Sequence, residues 1–186
     1  MILCIQIKEL EEQLSQISPL IDLYKKGDAT FPEKVITWLE KTEKTMSQMH
    51  LPEGSEMSSL RSKILKNNDI LRTGSDRPTR SELRKARNAE AASSLERGEE
   101  ILRVRTSLSE DRLFEFENKL CEGITAFLLE NTLPQNHGDH TQWIQHIWEV
   151  FSQQEPTKAL AIYLSASLSS YDRSYILSRV ITRVCE

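Results

Sequence analysis

Arg77, Arg80, Arg84 and Arg87 follow one another at steps of three, four and three residues, with Lys85 beside them. If the helix that carries Arg80 extends back to Arg77, that spacing sets four guanidinium groups in one row. A guanidinium is a planar fork that donates two parallel hydrogen bonds, so the row suits phosphate or carboxylate oxygens. Three anions fit. An acidic protein surface would be bound in a partner-specific way, a nucleic-acid backbone with strong salt dependence, and the chain's own acidic segments would neutralise the row internally. A solvated helix face of mixed charge is the plainest alternative.

A second set of chemistry-bearing side chains lies further on. His137 and His140 flank Gly138-Asp139, and His146 and Glu149 follow. Neutral imidazoles and carboxylates are the usual ligands of zinc and iron. The spacing is neither His-Glu-x-x-His nor the paired Glu-x-x-His of di-iron bundles, so polar loop and helix-cap residues account for it more simply. Cys4, Cys121 and Cys185 are odd in number and far apart, which gives no disulfide framework and no catalytic context. No glycine-rich phosphate loop or Gly-x-Ser-x-Gly elbow occurs. The expectation is therefore a non-enzymatic protein without metal or cofactor, its thiols reduced in the cytoplasm. A helical metalloenzyme stands third, behind protein docking and phosphate-backbone binding.

The distribution of charge frames the arginine row. Residues 61–105 hold 12 of the 24 Lys and Arg against 7 of the 28 Asp and Glu, in a chain whose net charge is −4. The flanks on both sides are acidic. A sequence pI near 5.7 and the absence of Phe, Tyr and Trp between Trp38 and Phe114 argue against a dedicated nucleic-acid binder and against base stacking. Six Gly, six Pro and a hydrophobic content of 38% point to a folded helical chain. No stretch reaches the roughly 18 apolar residues of a membrane span, and the start lacks a signal-peptide pattern.

The elements that must position these residues are all helices. Leu3, Ile7, Leu10, Leu14, Ile17, Ile21 and Tyr24 alternate steps of four and three, a heptad seam that wants a partner helix. Pairing within the chain is the default, and a homo-oligomer through the seam is the alternative. Ser18-Pro19 should kink or break this helix and Gly27 should end it. Val35, Leu39, Thr42, Met46 and Met49 mark the next buried stripe, with Trp38 as a core or groove-edge residue. Leu51-Pro52-Glu53-Gly54-Ser55 is a turn, and Met57, Leu60, Ile64, Asn67 and Leu71 continue in helical steps. Asn67 would set register if buried.

Thr73-Gly74-Ser75-Asp76-Arg77-Pro78 reads as a linker. It suggests helical hairpins over 1–72, a sharp turn over 73–79 and a helical bundle over 80–186, with one continuous domain over 1–186 as the alternative. Leu83, Ala86, Ala89, Ala92 and Leu95 give the basic helix a narrow face of small residues, and Gly98 marks a bend. Ser107 with Glu110 resembles a capping box, so a new helix should begin there and run to Asn131. Trp143, Ile144, Ile147, Trp148 and Phe151 define a short aromatic helix, Leu160, Tyr163, Leu164, Ser167 and Leu168 the next. Ser170 or Asp172 should cap the last, whose inward set is Ile176, Leu177, Val180, Ile181 and Val184. The sum is an all-α bundle of seven or eight helices, the longer ones in the middle. Its expected function is that of an accessory or regulatory subunit docking on another protein through the seam and the arginine row.

Overall fold

A computed structural model describes residues 2–73, 79–135 and 138–185, without the side chains of 67–73 and 185. The protein is all-α, and among the described residues there is no strand. The elements are α1 (Leu3–Ser15), α2 (Ile17–Lys25), α3 (Phe31–Gln48), α4 (Gly54–Thr73), α5 (Arg80–Glu130), α6 (His140–Gln153), α7 (Glu155–Ser167) and α8 (Ser170–Cys185). Their contacts divide the chain into two compact units. One comprises residues 7–107, the other residues 1–6 with 108–186, so both α1 and α5 contribute to each. Residues 74–78 of the expected linker, Arg77 among them, lie outside the described residues, as does His137.

In the unit of residues 7–107, the break before Pro19 falls at Gln16, between α1 and α2. Proline has no N–H to give to Ser15, and as the third residue of α2 it sits where helical donors are unpaired anyway. The carbonyl of Gln13, next to this break, accepts the indole Nε1–H of Trp38 at 3.0 Å. Trp38 is thus pinned in place and buried. The small residues of α5 pack against it. A Cβ added at Gly98 would lie 2.8 and 2.9 Å from two atoms of the Trp38 ring, so Gly98 is a point of close helix approach inside a continuous helix. The buried face of α5 here is Ala91, Ser94, Leu95, Ile101 and Leu102, one position away from the alanine face read from spacing; Ala89 is exposed. The core is completed by Leu10, Ile17, Leu20, Phe31, Val35, Leu39, Met46, Met57, Leu60 and Ile64. The aromatic gap in the middle of the sequence is filled by aromatics from its N-terminal flank.

Two helix ends in this unit use the same device. At Gly27, with φ of 63°, Asp28 N–H reaches Leu23 O and Gly27 N–H reaches Tyr24 O. At His50, with φ of 56°, Leu51 N–H reaches Met46 O and His50 N–H reaches Ser47 O. Both are Schellman closures, and only the first has the glycine that left-handed backbone favours.

The start expected at Ser107 does not occur: α5 runs through it without interruption. Leu102, Thr106, Ser109, Leu113, Phe116, Leu120, Ile124 and Phe127 are all buried at steps of three and four, so one continuous stripe crosses the site. Thr106 fits this stripe because its hydroxyl donates to the Leu102 carbonyl at 2.9 Å. The capping box forms instead at Thr79 and Glu82, where Glu82 accepts from Thr79 N and Oγ1, and Glu82 N donates back to the Thr79 hydroxyl.

The other unit packs the second half of α5 with α6, α7 and α8 around Phe116, Leu120, Ile124, Phe127, Ile144, Ile147, Phe151, Leu164, Ile176, Leu177, Val180 and Ile181. Tyr163 is 43% exposed; it lies beside Phe116, and Lys119 sits over its ring. Asp139 caps α6 by accepting from Thr141 N at 2.8 Å. The cap of α8 is Ser169 rather than the expected Ser170 or Asp172, and Asp172 serves another helix. Its N–H donates to Ser169 Oγ, and its carboxylate, fully buried, accepts from Ser169 Oγ and from the backbone N–H groups of Leu3 and Cys4 at 2.9 and 3.0 Å. A side chain of α8 is therefore the N-terminal cap of α1.

Candidate functional site

Arg80, Arg84, Lys85 and Arg87 sit at the start of α5, and two of them are engaged by their own unit. Arg87 pairs with Glu33 of α3 at 2.8 Å, and Arg84 donates to the carbonyl of Gly27 in the α2–α3 turn. That turn is itself held by Asp28, which accepts from Thr30 N and Oγ1; these bonds keep the Asp28 carboxyl below its ordinary range. Arg80 and Lys85 are exposed. Further along α5 the pattern repeats, with Arg97 on Glu56 and Glu100 and with Arg103 on Glu99. In α4, Arg61 reaches Glu43 of α3 at 3.0 Å. The basic helix thus meets carboxylates of the acidic flank, which is what opposite charge on neighbouring helices produces.

The seam divides into a used and an unused part. Leu3, Leu10 and Ile17 are buried, Ile7 and Leu14 half-buried, while Ile21 and Tyr24 are 36% and 47% exposed. The buried line along α1 and α2 is Leu3, Gln6, Leu10, Gln13, Ile17 and Leu20, so the glutamines at 6 and 13 take inward places that the apolar pattern assigned to Ile7 and Leu14. The exposed pair is not scattered surface. Ile21 and Tyr24 line, with Phe31, Ala92, Leu95, Glu96 and Glu99, an apolar cleft of about 190 Å³ between α2, α3 and α5. Phe31 is its closed floor, fully buried and 5.2 Å from Tyr24 ring to ring. Two carboxylates and no cation line it.

The other unit carries a more polar cleft of about 260 Å³, lined by Gln145, Trp148, Glu149, Ser170, Arg173 and Ser174 among others. The Arg173 guanidinium lies 5.0 Å over the Trp148 ring and donates to Ser165 Oγ. A third polar assembly is structural. Glu117, only 2% exposed, receives Arg183 at 2.5 Å and Arg179 at 3.6 Å, both from α8. A buried carboxylate requires such partners, and the i,i+4 spacing of the two arginines was its only sign in the sequence.

The described histidines of this stretch, His140 and His146, make separate contacts. His140 Nε2 lies 2.8 Å from Ser178 Oγ, and His146 Nδ1 is 4.0 Å from Glu149. Among the described residues no three His, Cys, Asp or Glu side chains come together to hold a metal ion. Met46 and Met57 are fully buried core residues. Cys4 and Cys121 are unpaired thiols, and Cys4 is pushed up to about 12 by burial and then by the adjoining Asp172 carboxylate, the opposite of an activated nucleophile. No helix among the described residues is long and apolar enough to cross a membrane. No protein-family profile, curated protein or solved structure matches the chain.

Proposed function

We propose that the protein acts by binding, as an accessory or regulatory subunit that docks on another protein in the cytoplasm. The observation that carries this reading is the apolar cleft of residues 7–107, where the unused end of the seam, Ile21 and Tyr24, opens beside a buried aromatic floor. Large apolar side chains kept partly in water around a concave site are a recurrent feature of docking surfaces.

Phosphate-backbone binding is the second reading, and the exposed Arg80 and Lys85 are what favours it. Affinity purification from the native host, with and without nuclease, separates the two. For the docking reading, a stoichiometric protein survives nuclease, is lost on Tyr24→Glu, and is retained on Arg80→Glu with Lys85→Glu. Recovery of nucleic acid alone, sensitive to the Arg80 and Lys85 changes and not to Tyr24→Glu, would replace it.

A further inference from the structure

We propose that the cleft takes one large aliphatic or aromatic side chain from an amphipathic helix of a protein partner, with a Lys or Arg one turn away pairing with Glu96. This rests on the docking reading and names the kind of partner. Size is the first argument. A volume of about 190 Å³ lies below the roughly 300–1,000 Å³ of sites that enclose a whole small molecule, and it suits a single side chain. Shape is the second. Ile21 and Tyr24, three residues apart on α2, present one exposed apolar face at the cleft, and such a face is complementary to another helix presenting residues at i and i+3 or i+4.

Charge decides the partner's polarity. The apolar wall is rimmed by Glu96 and Glu99. Glu99 is engaged by Arg103 at 2.7 Å, whereas Glu96 is exposed and makes no ion pair among the described residues. An acidic helix would place like charges together at this rim, and a basic one supplies the missing counter-charge. The nearest cations on α5 are committed elsewhere: Arg97 to Glu56 and Glu100, Arg87 to Glu33.

Selection of displayed random helical peptides on the full chain tests this directly. Ala92→Leu fills the cleft at a half-buried position, and Glu96→Lys changes only an exposed side chain. The proposal expects enrichment of peptides with one large apolar residue and a Lys or Arg three or four positions away. Their affinity should be abolished by Ala92→Leu and weakened roughly tenfold at low salt by Glu96→Lys, with recovery when the peptide's Lys becomes Glu. Enriched peptides that depend on Ala92 but show no basic preference would leave docking intact and overturn the charge assignment. No peptide sensitive to Ala92→Leu would overturn both. A dimer in sedimentation experiments that Ala92→Leu dissolves would assign the cleft to a second copy of the chain and overturn the proposal as stated.

Discussion

Replacing Asp172 tests how strongly a distant side chain holds the first turn of α1. In Asp172→Ala, the N–H groups of Leu3 and Cys4 and the Ser169 hydroxyl lose their common acceptor. Hydrogen bonds to a charged acceptor contribute about 1.5–3 kcal/mol each, and leaving two buried donors unpaired would cost more than the chain needs to spend. The cheaper response is for residues 2–6 to fray and hydrate. Fraying gives up the burial of Leu3, about 2 kcal/mol, and the fixed geometry of the turn, so the expected loss is about 2–4 kcal/mol. Asp172→Asn keeps an acceptor oxygen and should lose about half as much. Urea unfolding of the full chain gives the total, and amide hydrogen exchange shows where it falls: Leu3, Cys4 and Gln6 should lose protection first. An Asp172→Ala chain within about 0.5 kcal/mol of the parent, with unchanged exchange at Leu3 and Cys4, would refute the cap.

The contacts already described set further expected outcomes. Gly98→Ala should destabilise by up to about 2 kcal/mol, because overpacking of about 1–3 kcal/mol against the Trp38 ring is set against alanine's helix preference of about 1 kcal/mol; a more stable variant with unaltered tryptophan emission would contradict the close approach. His50→Gly should stabilise by about 0.5–1 kcal/mol by relieving left-handed backbone at a non-glycine residue, read as a shift in urea midpoint at constant slope. Gly27→Ala, at the matching closure of α2, should lose about 1 kcal/mol. Cys4 is raised from 9.0 to about 12, so the unfolded chain gives up its thiol proton first as pH rises. Stability from this group is therefore constant below pH 9 and declines between 9 and about 12. Alkylation of Cys4 in the folded chain should run about a thousandfold slower than in denaturant, since only thiolate reacts; equal rates would show an accessible thiol.

What could be read from the sequence was whatever local pattern and local chemistry agree on. The all-α class, the stripe of α3, that of α4 from Met57 to Ile64, the break before Pro19 and the end at Gly27 each follow from spacing plus a backbone-restricting residue, while Asn67 and Leu71 lie outside the described side chains. The errors share a cause. Gln6, Gln13, Thr106 and Ser109 are polar residues in buried stripes, so a hydrophobic pattern shifts at the glutamines and stops short at the hydroxyls. At Ser107, that gap left a four-residue capping signature looking decisive, while the same signature at Thr79, where no stripe precedes it, forms a real cap. Gly98 shows a similar gap, since its close neighbour Trp38 comes from another helix and no local pattern around the glycine points to it. The cleft beside Tyr24 needed residues from three helices, a juxtaposition no spacing rule expresses.

The arginine row shows why a charge pattern alone is a poor guide to a site. Arg80, Arg84 and Arg87 share a face at the start of α5, yet Arg84 and Arg87 give their hydrogen bonds to Gly27 and Glu33, while Arg80 and the neighbouring Lys85 stay in water. Reversing all of them would confuse two effects. At Arg87, a glutamate would face Glu33 across a contact now 2.8 Å long, replacing attraction by repulsion. Partly exposed pairs contribute about 0–1 kcal/mol and reversal somewhat more, so Arg87→Glu should lower stability by about 1 kcal/mol with no partner present. Arg80→Glu and Lys85→Glu should leave unfolding within about 0.5 kcal/mol of the parent. Any loss of association caused by the second pair would report on binding, whereas a loss confined to Arg84 and Arg87 variants would report on the packing of α5 against the α2–α3 turn. If Arg80→Glu destabilised as much as Arg87→Glu, the division of the row into structural and exposed members would be wrong.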